Sequence, residues 1–124
     1  MAETLQLFYC DEHEFPLPPG HRFPATKYRL LRERIARDPR FRLTPSTFVS
    51  REGLTRVHAA DYIDSFLDGS IAPAVMRRIG FPWSRELVNR TLASAGGTLL
   101  ATRTALACGI GGNLAGGTHH AAFQ

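Results

Sequence analysis

The chain has 124 residues, 44% hydrophobic and 21% charged, which suits one domain able to bury a core. It contains no apolar run long enough for a membrane span, and "MAETLQLFYCDEH" lacks the basic segment and cleavage site of a secretory leader, so the expected location is the cytoplasm. The net charge of +4 comes from fourteen arginines and one lysine, Lys27. Six of the arginines fall in "RLLRERIARDPRFR", but Glu33 and Asp38 interrupt them and no aromatic platform is interleaved. A solvated helix face is therefore expected there rather than a nucleic-acid surface.

Residues 4–10, "TLQLFYC", are short, apolar and aromatic and end at "DEHE", the pattern of a buried strand. The loop "EFPLPPGHRFP" has four prolines in eleven residues and cannot be a regular element. Tyr28, Leu31 and Ile35 then recur at helical spacing over about residues 25–37, ahead of "DP". "FRLTPSTFVS" reads as extended but irregular at Pro45. Tyr62, Ile63, Phe66 and Leu67 share a helical face that stops at Gly69, and "MRRIGFPWS" is expected to be a loop.

Ser84 is placed to cap a long helix, with Glu86 in its first turn and Val88, Leu92, Ala95, Leu99 and Leu106 as its apolar face. Gly96 and Gly97 interrupt this helix, marking either a kink or close packing against another backbone. Cys10 and Cys108 have no metal-knuckle spacing and sit in apolar stretches, so both are expected to be buried thiols. The order of elements predicts α/β architecture with a parallel sheet, in a single unit spanning residues 1–124. About three strands for so much helix is narrow for such a sheet, as in the front part of a larger domain.

Five of the eleven glycines lie between Gly109 and Gly117, yet neither a phosphate loop nor a dinucleotide fingerprint fits them. Gly116 and Gly117 instead permit tight turning just before His119 and His120. Adjacent histidines in a strand point to opposite faces; in a distorted loop both rings can face one cavity and move protons near neutral pH. As a dipeptide alone the pair is also compatible with no chemical role.

"GGTHHA", preceded by an apolar stretch and a long helix, resembles the tandem-histidine motif of the zinc-dependent histone deacetylase superfamily. "PLPPGHRFPATKYRLLRERI", "VHAADYIDSF", "RRIGFPWSRELVNRT" and "SAGGTLLATRTALACGIGGNLAGGTHHA" are similar, in order, to blocks of its bacterial, class IV-like branch. The resemblance implies an arginase/deacetylase-like parallel sheet with flanking helices, and hydrolysis of acetyl-lysine or a related acetylated amine. His120 would be the general base and then acid, and His119 would assist and orient the water. Arg22 and Gly117 would lie on the substrate side. The family's zinc ligands, an Asp-x-His pair and a further Asp, follow the tandem histidines. Zn2+ is thus expected for the complete family domain, with no metal ligand in these 124 residues and no turnover by them alone. The remaining histidines do not substitute: His13 lacks ligand spacing, while His21 and His58 read as packing residues. Open sheet edges would favour self-association. The alternative is a non-catalytic interaction protein built on a truncated deacetylase fold.

Overall fold

The computed structural model describes residues 3–117. The elements run β1 (Leu5–Tyr9), α1 (Lys27–Ile35), β2 (Phe41–Pro45), α2 (Arg51–Thr55), α3 (Ala60–Asp68), α4 (Pro73–Ile79), α5 (Arg85–Cys108) and β3 (Gly112–Asn113). The strands form one parallel sheet in the order β2-β1-β3, with Leu5 opposite Phe41 and Leu7 opposite Gly112. The architecture is α/β with a small open parallel sheet and flanking helices, as the alternation of elements predicts. Leu7 and Phe8 are consecutive and both buried, so both faces of the central strand are covered. Among the described residues no helix is long and apolar enough to cross a membrane.

Local chemistry explains the helix ends. The Ser84 hydroxyl accepts from the Leu87 amide at 3.0 Å, capping α5, and the Ser50 hydroxyl does the same for α2 through Gly53 at 3.0 Å. Gly69, Gly80 and Gly109 each end a helix in the left-handed conformation that a side chain would strain. "MRRIGFPWS" is not all loop: Met76 to Ile79 belong to α4, which has proline in its first turn and Gly80 at its end. That pairing of a leading proline with a closing glycine marks a short helix.

Helix α5 is continuous through Gly96 and Gly97, and its buried face differs from the apolar one expected. Leu87, Val88, Ala93, Gly96, Gly97 and Ala101 face inward, whereas Leu99 and Leu106 are 42% and 84% exposed. Small residues prevail because backbone lies against them. A Cβ on Gly96 would stand 1.7 Å from the Thr47 carbonyl oxygen, and one on Gly97 would stand 2.6 Å from the Ser46 hydroxyl. The Val49 amide also donates to the Leu92 carbonyl of α5 at 3.0 Å. Of the two cysteines, Cys10 is buried but Cys108 is exposed, because it ends α5 beyond the reach of the sheet.

Two apolar clusters include residues of α5, Ala93 in one and Leu87 in the other. One joins Cys10, Tyr28, Ala93 and Ala115, with Phe23 packed against them. The other joins Ile71, Met76 and Leu87, with Phe15, Phe66, Phe81 and Trp83 around them. Full burial of side chains of this size contributes roughly 1.5–3 kcal/mol each. The arginine-rich segment is partly neutralised in place: Arg29 pairs with Glu33, Arg40 with Asp38, and Arg32 with Asp11, whose side chain is 7% exposed.

Helix propensity alone says that Gly96→Ala gains about 1 kcal/mol. The approach of Thr47 predicts the opposite sign, a loss of roughly 3 kcal/mol, since backbone must move to admit the methyl group. Urea unfolding of the variant measures it; an unchanged or raised midpoint would refute the close approach.

Candidate functional site

Parallel strands deliver their following loops to one edge of the sheet, where α/β proteins build ligand sites. Here the three exits are tied together. The Ser46 amide donates to the Tyr9 carbonyl at 2.8 Å, joining the exits of β2 and β1, and the Leu114 amide donates to the Phe8 carbonyl at 2.9 Å, joining β3 to β1. Asn113 anchors the last exit to α5: its Nδ2 donates to the Ser94 carbonyl at 2.9 Å and to the Thr98 hydroxyl at 3.1 Å. Its Oδ1 accepts from the Ala115 amide at 3.0 Å, and the Ser94 hydroxyl donates to the Ala115 carbonyl. Residues 113–115 are thereby fixed on the helix, and the chain reaches Gly116 and Gly117 beside a cavity of about 470 Å³.

The cavity walls are mostly aromatic and aliphatic. Phe15 and Phe23 each meet Phe81 edge-on, with centroids 5.3 and 5.0 Å apart. Tyr62, Phe66 and Leu87 continue the lining, and His58 stands 6.0 Å from the Tyr62 ring. Arg90 supplies a charge. The residue is 8% exposed, and its guanidinium carbon lies 4.1 Å from the centroid of the Tyr28 ring, a cation–π contact.

Of the residues expected at the site, Gly117 is exposed at the cavity rim. Arg22 is exposed and is not among the lining residues. His119 and His120 lie outside the described residues. The neighbour of Arg22, His21, is built into the loop: its Nδ1 accepts from the Phe23 amide at 3.2 Å, which places the proton on Nε2, 3.0 Å from the Gly80 carbonyl that accepts it. The ring also stacks on Phe81, so His21 packs the loop against the end of α4 as expected. His13 sits 3.7 Å from Glu12 and against Phe48. Among the described residues no three His, Cys, Asp or Glu side chains are grouped to hold a metal ion.

Arg90 and the Phe23–Phe81 pair are the features that sequence reasoning missed. A usable signal existed: Arg90 sits at helical spacing between Leu87 and the small residues Ala93 and Gly97 on the inward stripe of α5. Cys10 sits nearby in the buried cluster. Burial pushes its thiol up from the ordinary value, Arg90 pulls it back, and Glu12 and Asp11 push it up further. A raised pKa leaves little thiolate near neutral pH. Iodoacetamide at about pH 7 is therefore expected to modify Cys108 and spare Cys10, with Cys10 reacting only under alkaline or unfolding conditions. Mass spectrometry of the labelled peptides decides it, and equal labelling of both thiols would contradict this burial.

No family model matches the chain. It is similar to an uncharacterized protein of Picosynechococcus sp., 41% identical over 117 residues that cover 91% of this chain and 39% of that protein. The chain thus spans well under half the length of the curated relative it matches.

Proposed function

We propose that the chain is the N-terminal part of a cytoplasmic, zinc-dependent hydrolase of the histone deacetylase superfamily, with an arginase-like sheet, acting on acetyl-lysine or another acetylated amine. The observation that supports this reading most is the course of the polypeptide at the carboxyl edge of the sheet. Asn113 and Ser94 lock the exit of β3 onto α5, and the chain then reaches the rim of a cavity at Gly116 and Gly117, immediately before "THH". An imidazole there acts as general base by taking a proton from water, and then as acid by returning it to the departing amine nitrogen. In this reading His120 does both and His119 orients the water, while Arg22 and Gly117 lie on the substrate side. Zinc, when bound, would polarise the amide carbonyl and acidify the attacking water. In this reading its ligands are the Asp-x-His pair and the further Asp that follow the tandem histidines in the family the chain resembles.

The test pairs the 124-residue chain with the full-length Picosynechococcus relative in a fluorogenic acetyl-lysine assay, with zinc measured on the same samples. Turnover is expected from the relative and not from the short chain. Any turnover by the short chain should fall at least about 100-fold in His120→Ala. No hydrolysis of acetylated amines by either protein would overturn the reading.

A second reading, a non-catalytic interaction module, has its own observation. The outer strands β2 and β3 have no further partner among the described residues, and Leu106 and Ile110 beside β3 are 84% and 63% exposed. Open edges and apolar residues of this kind promote association. Light scattering after gel filtration is expected to find the chain self-associated, and Leu106→Glu with Ile110→Lys should return it to monomer. A monomer at all concentrations would discard the module reading.

A further inference from the structure

We infer that the cavity is a binding site for a small monocarboxylate, with Arg90 receiving the carboxylate and the aromatic walls receiving an apolar body. The inference does not depend on the hydrolytic reading. Arg90 is more than nine-tenths buried, yet no hydrogen bond or ion pair joins it to any described residue. Its guanidinium nitrogens are not sealed from solvent, so they are open to an anion that enters the cavity. The Tyr28 ring face holds the group in place, with the guanidinium carbon 4.1 Å from the ring centroid. Stacking uses the flat face of the guanidinium. Its N–H groups point outward in the plane of the group, and that planar fork matches the two oxygens of a carboxylate.

The surroundings select the ligand class. Among the described residues no aspartate or glutamate lines the cavity. The nearest acidic groups on the sheet edge are engaged elsewhere: Arg32 Nε holds Asp11 at 2.7 and 2.8 Å, and Glu12 faces His13 at 3.7 Å. The hydroxyls on the α5 wall are also committed, with Thr91 donating to Leu87 at 2.8 Å and Ser94 donating to Ala115. Arg90 is the one arginine or lysine in the described lining, beside the His58 imidazole and among Phe23, Phe81, Tyr62 and Leu87, which suits a carboxylate on an apolar body. A phosphate would bring a second charge and further oxygens that these rings cannot solvate. The volume of about 470 Å³ is within the range of small-molecule sites.

Benzoate is the probe, titrated into the 124-residue chain by calorimetry and by NMR of the arginine side-chain N–H signals. Saturable binding with movement of the Arg90 Nε–H signal is expected. Benzyl alcohol, the neutral analogue, and inorganic phosphate should each bind about tenfold more weakly or worse. Arg90→Met, checked for native circular dichroism, should lose binding by a similar factor, and Arg90→Lys should recover part of it. Absence of saturable benzoate binding by the unsubstituted chain would overturn the proposal, as would an unmoved Arg90 signal, or equal affinity for phosphate. Undiminished binding to folded Arg90→Met would also overturn it. The NMR reading needs no substitution, so it stands even if Arg90→Met fails to fold.

Discussion

The structure depends on how closely α5 approaches the backbone that leaves β2. Thr47 sits where a side chain on Gly96 would be, Ser46 and Asn113 crowd Gly97, and the Val49 amide donates into the helix at Leu92. Two glycines in a helix interior sacrifice intrinsic stability. In exchange the helix axis comes near enough for Ser94, Thr98 and Asn113 to join into one hydrogen-bonded group. Move α5 outward by the width of a methyl group, and the exits of β2 and β3 lose their common support.

That group also sets the cavity. Its α5 wall and the Gly116–Gly117 rim are held by the same contacts, while the opposite wall is the loop carrying Phe15, Phe23 and His21. His21 and the end of α4 fasten that loop through the Gly80 carbonyl, so its four prolines stiffen a segment already pinned near its centre. The site edge is therefore built from rigid pieces although little of it is regular secondary structure.

Much of the fold was legible in the sequence because its signals are local. Ser84 followed by Glu86 announces a helix start, Gly69 a helix end, and "TLQLFYC" a buried strand, each from side-chain chemistry within a few residues. The buried face of α5 was not legible by counting large apolar residues. From Ala93 onward the helix rests on backbone, so its inward positions are Ala and Gly while Leu99 and Leu106 point away. Helix α2 has five residues, too few to show a period, and α4 was hidden because Gly80 and Pro82 read as loop punctuation. Arg90 was overlooked for a related reason: a charge inside is recognised only when the stripe containing it is known to face inward. The Gly-His segment was conspicuous by composition, but its relation to a cavity depends on Asn113 and Ser94, which lie nineteen positions apart.

The sheet order β2-β1-β3 places the first strand of the chain at the centre. Its pairing with β2 closes a modest loop, whereas its pairing with β3 must wait for Gly112, with more than half the chain between. Contacts so distant in sequence form slowly, since the entropy of closing the loop is lost before any bond repays it. During synthesis, one side of β1 therefore stays exposed until nearly all of these residues have left the ribosome. Pairing of Phe8 with Asn113 is then a late event, and it completes the carboxyl edge only when the glycine-rich segment arrives.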